Sequence, residues 1–314
     1  MASVPAERPP LRATGRVRRR NRMNRVMESG AILSSALAVA VLGIVVVSVL
    51  LKGVSALNLD FFTKAQPLFG EAGGGIAPAL VGSLVLVGLA TAMALPAGVL
   101  VAVYVNEFAR GRIGLVVRTA LDVLNGVPSI VIGIFAFALL VVGHHQSGFA
   151  GSCALAIIML PLVARATQEV LALVPQSLRE AGLALGVSKW RITLRVILPA
   201  AIGGILTGTT LAVARAAGET APLLFTTSIY LNKVQVDPSH ALASIPITIF
   251  TYSESPDPNQ HAQAWAAAFV LIMFVLVTSL SARYLLHRSR RKLIGAGAPK
   301  RPSLVRAFSL LRGG

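Results

Sequence analysis

One cysteine in 314 residues, Cys153, excludes an intrachain disulfide and any metal site built from several cysteines. Charge is scarce as well. Only 13% of residues are charged, against about 25% in a typical soluble domain. With 55% hydrophobic residues and a mean hydropathy of +0.74, the composition excludes an ordinary soluble domain. Acidic residues are few: 12 Asp and Glu face 29 Lys and Arg, for a formal net charge of +17. The phosphate-cradling pattern G-x-x-x-x-G-K-[ST] occurs nowhere, so ATP hydrolysis is not expected of this chain. No H-E-x-x-H pattern and no serine–histidine site lies in an apolar run, which argues against an intramembrane enzyme. A receptor-like signalling protein would need an appended cytoplasmic domain, whereas about 30 residues rich in Arg follow Arg283. The adjacent His144 and His145 sit in a short polar connection and read as solvated, not as metal ligands.

What the chain does contain is apolar runs. A bilayer-spanning helix takes roughly 20 predominantly apolar residues. Residues 31–51, 78–106 and 123–143 carry no charge; 152–174 carries Arg165 and Glu169; 196–217 carries Arg215; 264–282 is the sixth run. The stretch 220–231 is apolar but too short to span. The expectation is an all-α polytopic membrane protein with helices at about 31–51, 78–105, 119–143, 152–174, 196–217 and 264–285. A basic segment 1–28 precedes the membrane domain 29–288, and a basic tail 289–314 follows it. The first run is longer than the 7–15 apolar residues of a secretion signal, so it reads as an uncleaved anchor, and "RRRNRM" matches a twin-arginine signal only weakly.

Six spans sort the basic residues sharply. Of the 29, 24 fall on the side of both termini, three (Lys52, Lys64, Lys233) on the other side, and two, Arg165 and Arg215, inside apolar runs. Cytoplasmic loops carry the excess of Lys and Arg, so both termini are expected in the cytoplasm. The Arg-rich ends then lie against anionic lipid headgroups, worth about 1 kcal/mol per residue near the surface. The basic balance is accounted for without a nucleic-acid partner.

The connection between the fourth and fifth runs reads "VPQSLREAGLALGVSKWRITLRVILPA". Pro175 ends the fourth run, Ser177 and Glu180 have capping-box spacing, Gly186 suits a helix stop, and Ser188 can cap the next helix. A short helix exposing Ala181, Ala184 and Leu185 is expected. The pattern E-A-G-x-x-x-G, nine residues, V-x-L-P falls on Glu180, Ala181, Gly182, Gly186, Val196, Leu198 and Pro199. It resembles the "EAA" loop of ABC import permeases, with Gly182 in place of the second Ala and Val196 in place of Ile. In that family the loop is the coupling helix that seats in a groove of a separate ATPase.

Three further stretches, "RAAGETAPLLF" (215–225), "NGVPSIVIGIF" (125–135) and "LPLVARATQEVL" (160–171), resemble the permeases of phosphate-specific ABC importers. G-E-T-A-P-L-L-F is similar to the PstA type rather than its paralogue PstC, and 245–272 fits the same type. The resemblance runs from about residue 30 to 290. It implies an ABC type I importer permease fold and a heterodimer with PstC. Two PstB ATPases would hold the ATP and Mg²⁺, with no cofactor in this chain, and a phosphate-binding protein, PstS, would dock outside. A permease for another oxyanion, such as phosphonate, is the alternative.

Arg165 and Arg215 each have a Glu four residues later, Glu169 and Glu219, on the same helical face. An ionised side chain at the bilayer centre costs roughly 2.5–3.5 kcal/mol on insertion scales, so such residues face a bundle interior or a wet cavity. Gly204, Gly208 and Ala212 share the stripe of Arg215 and suit close helix packing. Two readings stand. Each Arg is neutralised by its Glu or snorkels, or the guanidinium groups line a route for an oxyanion, which they match with paired donors. The resemblance implies the second. Pro128 should kink or start the third helix, and Asn125 and Ser129 beside it either hydrogen-bond an anion or repair the backbone, the second being the favoured reading. Asp122 is placed with Arg118, four residues before it. The long connection 218–263, with Pro246 and "SESPDPNQH", is expected to be irregular and water-facing.

Overall fold

The computed structural model describes residues 15–67, 69–71, 73–109, 111–228 and 233–297. The first fourteen residues, Arg110, the end of the 220–231 stretch and the basic tail beyond 297 lie outside them. The protein is 79% helix, with no strand among the described residues. The chain divides into two units, residues 1–51 and 52–314.

The first unit is one helix, α1 (Arg16–Gly53), whose last two residues belong to the second unit. It starts well before the apolar run at 31–51. Its 38 residues rise about 57 Å, whereas a hydrocarbon core of about 30 Å takes some 20 residues. The turns bearing Arg16 to Arg25 therefore extend the helix past its apolar part.

After a short α2 (Leu59–Thr63), the second unit is built on α3 (Ala77–Val103), α6 (Gly148–Ala172), α9 (Leu198–Ala216) and α12 (Pro258–Gly297). Among the described residues five helices, α1 among them, are long and apolar enough to cross a membrane. Lipid tails are as apolar as leucine, so close packing of small residues, not hydrophobic exclusion, holds such helices together. α3 shows this directly: Gly82, Leu86, Ala90, Ala94, Gly98 and Ala102 recur every four residues and are all buried. A Cβ on Gly98 would sit 2.9 Å from a Val163 methyl of α6. α9 meets α6 in the same way, since a Cβ on Gly208 would overlap that of Ala166. α6 is thus enclosed between neighbours and is the most buried of the spans.

The run expected as one helix at 119–143 is two. α4 (Arg112–Gly126) and α5 (Ser129–Leu140) meet at 100° and supply a sixth crossing only if counted together. Val127 and Pro128 are extended, with ψ of 130° and 134°. The proline has no N–H to continue the ladder, and its ring drives the preceding residue out of the helical region. Hydropathy over 123–143 is blind to this break, because both halves are apolar.

The connection 218–263 is more regular than its composition suggests. It contains α10 (Ala221–Thr226) and α11 (Ile245–Ser253), each with its proline, Pro222 or Pro246, in the first turn, where the missing N–H costs nothing. Ser244 caps α11 by accepting from the Ile247 amide at 3.4 Å. The α5 Gly133 approaches α10 so closely that a Cβ there would be 2.6 Å from the Cα of Pro222.

At this same end of the bundle, Gln66, Gly70, Glu71 and Gly73 are tied to α11 and the start of α12. Gln66 donates to Thr248 Oγ1 at 2.6 Å, and Asn259 donates to the carbonyls of Glu71 and Gly73 at 2.8 and 3.0 Å. Asp257 accepts from the Gly70 amide at 3.0 Å and from the Asn259 amide at 2.8 Å. Hydrogen bonds from the Gly70 amide, then from Asn259 and Gln260, hold its carboxyl below the usual carboxylate range. A depressed folded-state value means the tie contributes above the unfolded value of about 3.9 and is lost as pH falls through the lower folded one. Protection of the Gly70 amide from hydrogen exchange, relative to its intrinsic rate, is expected to fall only below about pH 4 in the native protein. In Asp257→Asn it is expected to be low and free of that acid step.

Candidate functional site

The EAA-like residues form one exposed end of the bundle. α7 (Gln176–Ala184) carries Glu180 and Ala181 facing out, together with Ala184 and the following Leu185. The helix begins one residue before Ser177, with Pro175 at its N-cap and no side-chain cap, so the capping box does not form. The proline pre-sets the turn, and Ser177 already lies inside the first turn of the helix. Gly186, at φ +73°, stops the helix: Val187 N donates to the Gly182 carbonyl at 3.1 Å and Gly186 N to that of Leu183 at 2.9 Å. Ser188 stands at the N-cap of α8 (Lys189–Ile192) without a side-chain bond. Gly182 is pressed against α8, where a Cβ would be 2.7 Å from Ile192 Cδ1. Leu183, Leu185 and Trp190 are 54%, 81% and 53% exposed, an apolar surface that α7 and α8 present together.

The charges inside the apolar runs are arranged by the antiparallel pairing of α6 and α9. Gly204 lies against Val170 and Gly208 against Ala166, so the small-residue stripe faces protein, as its spacing suggested. Arg165 is therefore level with Gly208, and Arg215 stands seven residues, or about 10 Å, further along. Arg215 keeps its expected partner, with Nε 3.6 Å from Glu219 Oε1. Ala212 is buried but the Arg215 side chain is 56% exposed, so the stripe leaves its protein neighbour where the guanidinium begins.

Arg165 does not take the expected partner. Its Nη2 pairs with Asp122 of α4, and Arg118 is not the partner of Asp122. The bend at Pro128 lays α4 across α6, and that crossing, not sequence spacing, brings Asp122 to Arg165. Glu169, one turn on, lines a groove of about 550 Å³ with Ala166, Val170, Gly204, Thr207 and Gly208, and makes no ion pair among the described residues. Beside it, Thr167 Oγ1 and Gln168 Nε2 are buried with no hydrogen-bond partner there. An exposed i,i+4 pair returns about 0.3–0.5 kcal/mol, well short of the roughly 2.5–3.5 kcal/mol that a bare charge costs at mid-bilayer. Pairing alone does not account for these residues; this face needs water or a further polar surface.

Asn125, Pro128 and Ser129 lie at the helix break, one turn beyond Asp122. Neither Asn125 nor Ser129 makes a side-chain hydrogen bond among the described residues, so they do not repair the backbone. The Val127 amide turns back to the Leu124 carbonyl at 3.3 Å, and Pro128 O accepts from Val131 N at 3.0 Å. The break leaves both polar side chains uncommitted.

Sequence reasoning missed Arg179 and Glu107. Arg179 sits beside the recognised Glu180 but turns inward, and its Nη2 is 2.7 Å from Glu107 Oε1. The signal was available: with 12 acidic residues in the chain, a glutamate that ends a charge-free run invites a search for its partner.

The family model of binding-protein-dependent transport system inner membrane components matches residues 94–291. Among similar proteins, the phosphate transport system permease protein PstA of Yersinia pestis is 40% identical over 245 residues, covering 77% of this chain and 83% of that one. Its counterpart from Haemophilus influenzae is 42% identical over 234 residues, 74% of this chain and 82% of that one. PstA 1 of Mycobacterium tuberculosis is 42% identical over 224 residues, 69% and 72%. The inward-facing MetNI methionine ABC transporter superposes with a TM-score of 0.53 at 18% identity, over 68% of this chain and 94% of that one. A bacterial alginate ABC transporter gives 0.52 at 12%, over 88% and 96%. These two likenesses speak to fold alone, that of an ABC type I importer permease. The sequence similarity reaches further: the chain belongs to the PstA family of phosphate transport system permeases, within the binding-protein-dependent inner membrane components.

Proposed function

We propose that this chain is a membrane permease subunit of an ATP-driven importer that passes inorganic phosphate from an external binding protein to the cytoplasm. The carrying observation is the pair of guanidinium groups on facing helices, Arg215 near one end of α9 and Arg165 deeper on α6, each beside a carboxylate. Guanidinium offers paired donors to a phosphate oxyanion. A conduit must not hold its ion too well, and Glu219 and Asp122 each soften the field of their Arg. On this reading Asn125 and Ser129 at the helix break, and Glu169 in the groove between α6 and α9, complete the proposed route.

On this reading both termini are cytoplasmic and α7 is the coupling helix, with Glu180, Ala181, Gly182 and Gly186 shaping the surface that meets an ATPase. The partners are PstC in the membrane, two PstB subunits holding ATP and Mg²⁺, and PstS outside. Membrane lipid, not nucleic acid, neutralises the basic ends, and the chain itself needs no cofactor. The test is ATP hydrolysis by the reconstituted complex with and without phosphate-loaded binding protein. Stimulation by phosphate is expected; stimulation by a phosphonate and not by phosphate would overturn the assignment in favour of another oxyanion.

A further inference from the structure

Arg179 precedes the outward-facing Glu180 but is turned into the bundle, with its side chain only 16% exposed. Its Nε donates to Glu107 Oε2 at 3.2 Å and its Nη2 to Oε1 at 2.7 Å, a forked pair. Nη2 also donates to the Leu171 carbonyl at 3.0 Å, and Nη1 to that of Val174 at 2.7 Å. Leu171 is in the last turn of α6, where its carbonyl also accepts from the Val174 amide at 3.3 Å, and Val174 lies two residues past the helix end. Glu107 is 3% exposed by side chain and receives a further bond from Asn106 Nδ2 at 3.1 Å. It belongs to a π-turn, Tyr104–Phe108, that closes α3. One guanidinium therefore ties together α7, the end of α3 and the end of α6.

Two features make this more than a local staple. A second π-turn, Thr193–Ile197, joins α8 to α9, so wider turns interrupt the helices on both sides of α7. Such turns are rare and recur at functional sites and hinges. The α6 carbonyl held by Arg179 is also only six residues, about 9 Å, from Arg165 on the same rigid helix. A displacement of α7 that carries Arg179 must pull on α6 and on the π-turn of α3, or break a buried charge pair.

We propose that the Arg179–Glu107 clasp is the link through which movement of α7 reaches α6 and its Arg165, making Arg179 a positioning residue of the transport cycle. The inference deepens the permease reading and rests on α7 being the coupling helix. Removing the fork leaves α7 joined to α6 by residues 173–175 and packed on α8 through Gly182 and Ile192, without the buried charge pair that couples its movement to the ends of α6 and α3.

The test uses the complete complex of both permeases, ATPase and binding protein, with Arg179→Lys, which keeps the charge but loses the fork, and Glu107→Gln, which keeps the shape but loses the charge. Four quantities are read: assembled complex by co-purification, phosphate uptake, ATP hydrolysis alone, and ATP hydrolysis with phosphate-loaded binding protein. The expected result is assembled complex in which uptake per complex falls roughly 2- to 30-fold, while the ratio of stimulated to unstimulated hydrolysis falls toward one. A structural role would lower uptake and hydrolysis together, in proportion to the complex formed, and would overturn the proposal. Failure of both variants to assemble, or full uptake with a normal ratio, would also overturn it. If native complex shows no stimulation by phosphate-loaded binding protein, the permease reading fails instead, before any variant is compared.

Discussion

Arg215→Ala and Arg165→Ala are each expected to reduce phosphate uptake by at least about a hundredfold, the loss typical when one preorganised charge-stabilising donor is removed. The complex is expected to assemble and reach the membrane. Arg215 is 56% exposed by side chain and makes no hydrogen bond among the described residues, so its truncation removes charge without opening a packed core. Arg165 is more enclosed and pairs with Asp122, so its removal strands an acidic group on the route; Arg165→Ala combined with Asp122→Asn separates lost attraction from added repulsion. Lysine substitutions are expected to recover little, because an ammonium carries the charge without the two-point geometry. Labelled phosphate entering cells or proteoliposomes is the measurement. Normal uptake by both alanine variants would sink the conduit role and leave the ion pairs as structural.

Gly182→Leu is expected to separate membrane assembly from energy supply. Even a Cβ at this position would stand 2.7 Å from Ile192 Cδ1, and Ile192 is 3% exposed, so a larger side chain must push α7 away from α8. The motion tilts the exposed Leu183, Leu185 and Trp190, which together form the apolar surface at this end. Overpacking of this kind typically costs 1–3 kcal/mol locally, enough to misplace a helix held at so few points while leaving α3, α6 and α9 packed. Loss of ATPase co-purification and a drop in uptake of more than about tenfold are expected, since 1.4 kcal/mol is a tenfold change in association. Retention of the ATPase at native level would show that α7 is not its docking surface.

Much of this protein was legible because membrane insertion is a local matter. A span needs length and hydropathy, and the sequence alone yields the apolar segments, the two arginines within them and the small-residue stripe Gly204, Gly208, Ala212. The pairing of Arg215 with Glu219 was legible for the same reason, since four residues on one helix fix a face. The stop at Gly186 follows from a residue that tolerates φ of +73°. The α7–α8 connection was recognisable from its pattern, although its capping was not, because the N-cap fell on Pro175, two residues before Ser177.

Only the tertiary structure decided the partners that cross between helices. Arg165 has Glu169 one turn away but pairs with Asp122, because a 100° break at Pro128 lays α4 across α6. Arg179 and Glu107 lie 72 positions apart and meet because α3 and α6 end side by side. Likewise α5 finds α10 through Gly133 and Pro222. Hydropathy and periodicity report which face of a helix is buried, and they carry no information on the angle at which a neighbour crosses it. That angle is set by breaks such as the one at Pro128 and by how closely small residues let two backbones approach, and at Arg165 it selects which carboxylate the guanidinium reaches.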